Sequence, residues 1–266
     1  MNFVPYDEAS RPLELLRRHQ LDMVVQPGPK LEYWINSTSP KGYLAEKILL
    51  GTDAARFAPH KGIVEGQKIR YVDWLIAGLL AMNMMFSALF GVGYSIVRYR
   101  KNGVLKRLKA TPLRAFEFLA AQVFSRLLLI MTVLIVVYVG ANIFLHFQML
   151  GSYITLCLVM VLGAMCLISL GLLVASRVTS EELAGGLLNL LSWPMMFLSG
   201  VWFSLEGSPP ALQKFAQIFP LTHVIAGARA VMTEGAGLAA VSGDLAILAA
   251  MTALFLFIGS LTFRWE

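Results

Sequence analysis

The chain has 266 residues, 57% of them hydrophobic and only 14% charged, with a formal net charge of +6. Ordinary soluble domains carry charged residues near a quarter of the total, so the composition excludes one and points to an α-helical protein that crosses a membrane several times. Seven basic residues fall in one short stretch, 98–114, so the positive balance reports topology and lipid contact and not nucleic-acid binding.

Residues 1–70 contain no apolar run long enough to span a bilayer, and acids and bases alternate from Asp7 to Glu32. Ser10 is placed to cap a helix with Pro12 in its first turn. Residues 22–26 and 31–35 read as short strands, the second alternating Leu31, Tyr33 and Ile35 with Glu32 and Trp34. Ser39 and Pro40 open a second helix that runs through Ala45, Ile48 and Leu49 toward Arg56. This is a small α+β segment that buries too little apolar surface to be a complete domain.

The first predicted span covers about 71–97, with Tyr71 and Trp74 at an interface where aromatic rings are favoured. Asn83, Ser87, Gly91 and Ser95 recur every fourth residue and form a small, mildly polar face suited to close helix packing. Asn83 and Ser87 are also candidates to line a pathway. The loop that follows, 98–116, carries Arg98, Arg100, Lys101, Lys106, Arg107, Lys109 and Arg114 before its first acid residue beyond it, Glu117. Short loops of this kind are retained in the cytoplasm, so the loop sets the topology and the first span descends into the cell. Leu105, Leu108 and Lys109 have the spacing of a short amphipathic helix. A loop needed for orientation alone requires no such apolar edge, although a solvated basic loop beside anionic lipid is the simpler reading.

A second span is predicted over 118–147, with His146 at the outer turn, and a third over 152–175, where Gly163, Leu167, Gly171 and Ala175 make a stripe of mostly small residues. Cys157 and Cys166 lie nine residues apart in this third run, too far along one helix to form a disulfide. An inner turn at 176–182 leads to a fourth span over 183–203, containing Asn189, Ser192 and Pro194, and a proline in a span usually kinks it. Asn189 and Ser192 complete the set of candidate lining residues. Residues 204–243 mix apolar positions with Glu206, Pro209, Pro210, Lys214, His223 and Arg229, and read as two re-entrant outer helices hinged at Phe219 and Pro220. A fifth span over 245–263 returns inward, with Arg264 and Trp265 at the inner interface. Five spans with the basic loop inside place residues 1–70 outside the cytoplasm and the C-terminus within it. No signal-like apolar region precedes residue 70, so a further span is expected upstream, in a longer native chain.

Chemistry-bearing motifs are absent. A glycine-rich phosphate loop ending in Gly-Lys-Ser/Thr is missing, and Gly62 to Lys68 has the wrong spacing. Neither His-Glu-x-x-His, Cys-x-x-Cys nor Gly-x-Ser-x-Gly occurs, and His19, His60, His146 and His223 are scattered, so no catalytic residue and no metal centre is expected. The spans hold few ionisable groups, with Glu117 and Arg126 near one end, which argues against a proton-coupled carrier.

The run Asn102-Gly103-Val104-Leu105-Lys106-Arg107-Leu108-Lys109-Ala110-Thr111-Pro112-Leu113 resembles the cytoplasmic segment of the permease subunits of type 2 ATP-binding cassette (ABC) exporters. Ala175-Ser176-Arg177 with Ser180-Glu181-Glu182, Leu198-Ser199-Gly200-Val201-Trp202-Phe203, and Phe219-Pro220-Leu221-Thr222 match the same pattern in order and spacing, over about 71–265. The resemblance implies an inner (plasma) membrane export permease in which Gly103, Val104, Leu105, Arg107, Leu108, Lys109, Thr111 and Pro112 form a coupling helix, with Glu181 and Glu182 beside it, docked on a separate ATPase subunit. It implies a pair of permease copies, ATP and Mg on the partner ATPase, and no cofactor on this chain. Leu105 and Leu108 would supply apolar contact to the ATPase, and Arg107 and Lys109 would meet acidic groups or phospholipid. The family's interfacial helix and first span have no counterpart at the front of this sequence. The alternative is a membrane scaffold or assembly factor anchored by its basic loop. The substrate is open, because Asn83, Ser87, Asn189 and Ser192 suit lipids, drugs or glycans alike.

Overall fold

The structure, a computed structural model, describes residues 10–17, 21–26, 31–36, 40–51, 60–64, 71–112, 114–178, 180–205 and 208–262. The chain divides into two compact units, Met1–Arg70 and Tyr71–Glu266. The division falls where the sequence turns from mixed polar to continuously apolar.

The first unit contains α1 (Ser10–Arg17), β1 (Met23–Gln26), β2 (Glu32–Asn36), α2 (Pro40–Leu50) and β3 (His60–Val64). Its sheet has the order β1-β2-β3. β1 and β2 are antiparallel, with Met23 opposite Ile35, and β2 and β3 are parallel, with Glu32 opposite His60. Parallel neighbours need a crossover, and α2 lies within it. The alternation in β2 holds: Tyr33 and Ile35 are buried, and Trp34 points to the other face, where its indole lies so close to Gly62 of β3 that any side chain there would collide with it. Ser10 is the first helical residue of α1, and α2 ends at Leu50, earlier than the sequence suggested. Ser39 and Arg56 lie outside the described residues.

One polar cluster ties α2 to the sheet. Tyr33 Oη donates to Glu46 Oε1 at 3.0 Å, and Lys61 Nζ of β3 lies 2.6 Å from the same oxygen. The Lys61 ammonium, helped by the Tyr33 hydroxyl, holds the Glu46 carboxyl below its ordinary value in spite of burial, and burial with the adjacent carboxylate pushes the Tyr33 phenol up.

The second unit is helical: α3 (Tyr71–Lys101), α4 (Val104–Lys109), α5 (Ala115–Leu145), α6 (Tyr153–Ala175), α7 (Glu181–Leu198), α8 (Pro210–Ala216), α9 (Pro220–Glu234) and α10 (Leu238–Thr262). Four helices among the described residues are long and apolar enough to cross a membrane: Tyr71–Lys101, Glu117–Leu145, Tyr153–Ala175 and Leu238–Thr262. The predicted fourth span, 183–203, is α7, which stops at Leu198 after 18 residues and carries Glu181, Glu182, Asn189 and Pro194, so it falls below those four in apolar character. At 1.5 Å per residue it extends about 27 Å, close to the thickness of a hydrocarbon core. α8 and α9 meet at 95° across a three-residue break, 217–219. Phe219 is extended and Pro220 opens α9, where its missing N–H costs nothing.

α3 and α6 form the centre, with 56% and 61% of their most apolar stretches buried, against 11% and 17% for α5 and α10 at the periphery. The small-residue stripe of α6 makes that centre possible. A Cβ on Gly171 would lie 3.2 Å from Leu89 O and 3.3 Å from Leu89 Cα, so the α3 backbone runs directly against α6. One on Gly163 would lie 2.5 Å from Val224 Cγ2 of α9. The packing face predicted on α3 needs correcting. The closest approaches there are at Gly78, against Val201 O at 2.8 Å, and Gly93, against Leu188 Cδ1 at 2.5 Å. Asn83 is exposed, and Ser95 and Gly91 face Arg126 of α5. There Ser95 Oγ donates to Gly91 O at 2.7 Å and accepts from Arg126 Nη2, which gives an ionisable group within a span a polar neighbour.

Two outcomes are expected. Gly171→Leu should separate α3 from α6 and cost about 3 kcal/mol, seen as a lowered thermal midpoint in detergent, whereas Gly186→Ala on α7, with open space beside it, should be neutral or slightly stabilising. Because the folded-state pKa of Glu46 is depressed, its stabilising contribution is complete above the unfolded glutamate value of about 4.3 and disappears as pH falls through the lower folded value. Urea titrations of the intact chain with Trp34 as sole tryptophan should show this acid dependence, and Glu46→Gln should flatten it while lowering stability by about 1 kcal/mol.

Candidate functional site

The basic stretch folds as an elbow between α3 and α5. Helix α3 continues past the predicted boundary to Lys101, so Arg98, Arg100 and Lys101 stand on its last turn and not in a loop. Gly103 then adopts φ 69°, a left-handed conformation that costs glycine little, and its carbonyl accepts from Arg107 N at 3.1 Å to start α4. Thr111 closes α4, its N and Oγ1 donating to Leu108 O at 3.0 and 2.6 Å. Pro112 follows, and Glu117 Oε2 accepts from Arg114 N at 3.0 Å at the start of α5. Leu113 lies outside the described residues.

The six residues of α4 do have two faces, but the apolar one is turned inward. Leu105 is fully buried in the core of the chain, and Val104 and Leu108 are half-buried. This corrects the expectation that Leu105 offers contact to a partner: its side chain is consumed by its own helical bundle. The exposed face consists of Lys106, Arg107, Lys109, Thr111 and Pro112, with Arg98 and Lys101 on the adjoining turn of α3.

Three further elements converge on this elbow. The Arg100 guanidinium reaches the end of α6, where Nη2 donates to Ser176 O at 2.9 Å and Nη1 to Ala175 O at 3.2 Å and to Val178 O. These carbonyls lack intrahelical partners and carry the negative end of the helix dipole, so a cation there both satisfies and neutralises them. Ser176 Oγ lies 3.1 Å from Thr262 Oγ1, which brings in the end of α10. Lys101 Nζ lies 3.7 Å from Glu181 Oε1 at the start of α7. Glu181 is half-exposed and Glu182 exposed, both in the first turn, where acids suit the dipole. Sequence reasoning counted Arg100 only as a topology signal. The one hint of its role was a third span that ends in Ala175-Ser176-Arg177 without a glycine cap.

The candidate lining residues do not form one constellation. Asn83 and Asn189 are exposed on α3 and α7, and Ser87 is half-buried. Ser192 is fully buried and donates to Asn189 O at 3.3 Å within its own helix, so it lines no surface in this conformation. Buried Ser and Thr commonly satisfy themselves in this way.

Two residues that the sequence reading did not single out join helices elsewhere in the second unit. Arg229 of α9 places Cζ 3.5 Å from the centroid of the Trp74 ring, and it donates to Trp74 O at 3.3 Å, Gly200 O at 2.6 Å and Val201 O at 3.3 Å. The start of α3, the turn after α7 and α9 are thereby joined. Nearby, Tyr71 Oη donates to Trp202 O at 3.0 Å. His223 of α9 stands beside the hinge, between Gln217 O and Asp244 Oδ1, each at 2.9 Å.

Residues 48–233 match the ABC-2 type transporter family. The chain is also similar to proteins described as inner membrane transport permease YhhJ, from Escherichia coli (strain K12) and from Shigella flexneri, each 27% identical over 193 residues. That similarity covers 70% of this chain and 51% of the relative, so the chain spans about half the length of the curated relatives it matches. The family match takes in the elbow, the central α3–α6 pair, α7 and the hinged α8–α9 segment, and on that extent the chain belongs to the ABC-2 type transporter family.

Proposed function

We propose that this chain is the membrane-crossing subunit of an exporter powered by a separate ABC ATPase, which docks on the outward basic face of α4. The observation that carries the reading is how α4 is mounted. Leu105 anchors it in the bundle, Arg100 ties the adjoining turn of α3 to the end of α6, and Lys101 ties it to the start of α7. A displacement of α4 is therefore delivered to three helices at once, as expected of a part that turns nucleotide-driven closure of a partner into a tilt of the spans. Lys106, Arg107, Lys109, Thr111 and Pro112 would meet acidic and backbone groups of the ATPase, with Glu181 and Glu182 at the border of the contact. Leu108, half-buried, would seal its edge.

In this reading ATP and Mg²⁺ are bound by the ATPase, and this chain holds no cofactor. The elbow and C-terminus lie in the cytoplasm, the first unit lies outside it, and the membrane is the inner (plasma) membrane. The name of the bacterial relatives, inner membrane transport permease, supports the choice of membrane. A second permease copy would complete the pathway, with Asn83 and Asn189 as the exposed polar side chains closest to it in character.

The test contrasts two faces of one helix. Lys106→Glu, Arg107→Glu and Lys109→Glu combined should reduce co-purification of the co-expressed ATPase by about 100-fold, from roughly 1 kcal/mol per reversed charge, with the thermal midpoint of the permease unchanged. Leu105→Asp should instead lower that midpoint, because it buries an unpaired carboxylate. Undiminished recovery of the ATPase with the triple variant would refute docking on this face. Arg100→Met should leave the ATPase bound but reduce solute-stimulated ATP turnover in proteoliposomes by about tenfold or more, a loss of about 1.4 kcal/mol or more, since the link between α3 and α6 would be gone.

A further inference from the structure

His223 lies one turn into α9 and is 7% exposed. Its Nε2 is 2.9 Å from the carbonyl oxygen of Gln217, the residue that ends α8, and its Nδ1 is 2.9 Å from Oδ1 of Asp244 on α10. A backbone carbonyl only accepts, and so does an ionised carboxylate. Both contacts are hydrogen bonds only if both ring nitrogens carry hydrogen, or if Asp244 holds the proton instead. In either case one more proton is required than a neutral imidazole and an ionised aspartate possess.

The surroundings isolate this pair. Asp244 is the only acid or base on α10. Helix α6 offers only Tyr153, Cys157 and Cys166 as titratable groups. On α3 the charged residues Asp73, Arg98, Arg100 and Lys101 stand at its two ends, and on α7 Glu181 and Glu182 stand at its start. Lys214 of α8 is exposed, Arg229 of α9 is engaged with Trp74 and Gly200, and Glu234 is the last residue of α9. Among the described residues the charged group facing the ring is therefore Asp244.

We infer that His223 and Asp244 form a proton-binding site that fastens the α8–α9 hinge. With the proton bound, one ring joins three helices, because α9 is bonded to the end of α8 and to α10 together. When the proton leaves, the remaining ring hydrogen stays on Nδ1, where the carboxylate attracts it, and Nε2 presents a lone pair to the lone pairs of Gln217 O. That contact becomes repulsive. Thr222 Oγ1 of α9 still donates to Ala216 O at 2.6 Å, so α8 loses one of its two side-chain ties to α9 and is loosened about Phe219 and Pro220, while α9 stays tied to α10. The site is independent of what α4 binds.

The geometry also says how to lock the hinge without a proton. An asparagine at 244 has nearly the shape of the aspartate but can donate through its amide to Nδ1, which leaves the single hydrogen of a neutral ring on Nε2, facing Gln217 O. In the full chain, reconstituted with Cys157 and Cys166 replaced, nitroxides at Lys214 and Ser242 report α8 against α10, and nitroxides at Ala226 and Ser242 report α9 against α10. All three carrier positions are exposed. Between about pH 5.5 and about pH 9, which brackets histidine titration, the 214–242 distance by pulsed electron paramagnetic resonance should shift or broaden reversibly by about 2 Å or more, and the 226–242 distance should not. Asp244→Asn should keep the 214–242 distance narrow at both pH values. An unchanged wild-type 214–242 distance, a response that survives in Asp244→Asn, or an equal movement of the 226–242 pair would each overturn the proton site.

Discussion

The Arg100 guanidinium, set on the terminal carbonyls of α6, is the contact on which the elbow depends. A helix end without partners for its last carbonyls is unfavourable near an apolar interior, and α6 has no glycine cap to turn its chain back. By supplying the missing donors from α3, the chain makes the end of one central helix a condition for the end of another. The rest follows locally. Lys101 falls one residue further round, within reach of Glu181, Gly103 breaks the helix, and Leu105 comes round to the bundle. The outward positions of α4 are left to cations because the inward ones are spent.

The same economy appears along the length of the bundle. Membrane helices gain little from hydrophobic association, since lipid is as apolar as leucine, and depend on close packing. Gly171 and Gly163 let α6 touch α3 and α9 at van der Waals distance, and Gly78 and Gly93 do so for α3 against the turn after α7 and α7 itself. Helix α10 also packs along α6, where a Cβ on Gly259 would lie 3.9 Å from Leu173 Cα, yet α5 and α10 present most of their apolar surface outward. The central pair is thus enclosed on several sides, whereas the outer pair is packed on one face and open on the other.

Hydropathy alone made the membrane class, the division near residue 70 and the positions of α3, α5, α6 and α10 legible, because long apolar runs with charged flanks admit few other structures. The β2 alternation and the break at Phe219 and Pro220 were legible for similarly local reasons. Boundaries were less so. Arg98, Arg100 and Lys101 read as loop because they are charged, yet arginine and lysine are good helix formers and α3 runs on through them. The fifth span was expected from 245, yet Gly243 and Asp244 lie inside α10, which starts at Leu238. For α4 the spacing gave two faces but not their direction: Leu105 could meet a partner or its own bundle, and only the path of the chain decides which. His223 and Arg229 were out of reach because their partners, Asp244, Gly200 and Trp74, come from other elements, and no local pattern links one polar residue to another so far along the chain.

Helix α7 carries a consequence of its own. At one end it is paired to Lys101 through Glu181, and just past the other the carbonyls of Gly200 and Val201 are gripped by Arg229. Between these anchors sits Pro194, which has no N–H to offer the carbonyl of Leu190, one turn before it. A rod secured at both tips and missing one internal bond flexes at a fixed point, so the half of α7 that begins at Glu181 is free to follow the elbow while the other half keeps its grip at the opposite end of the bundle.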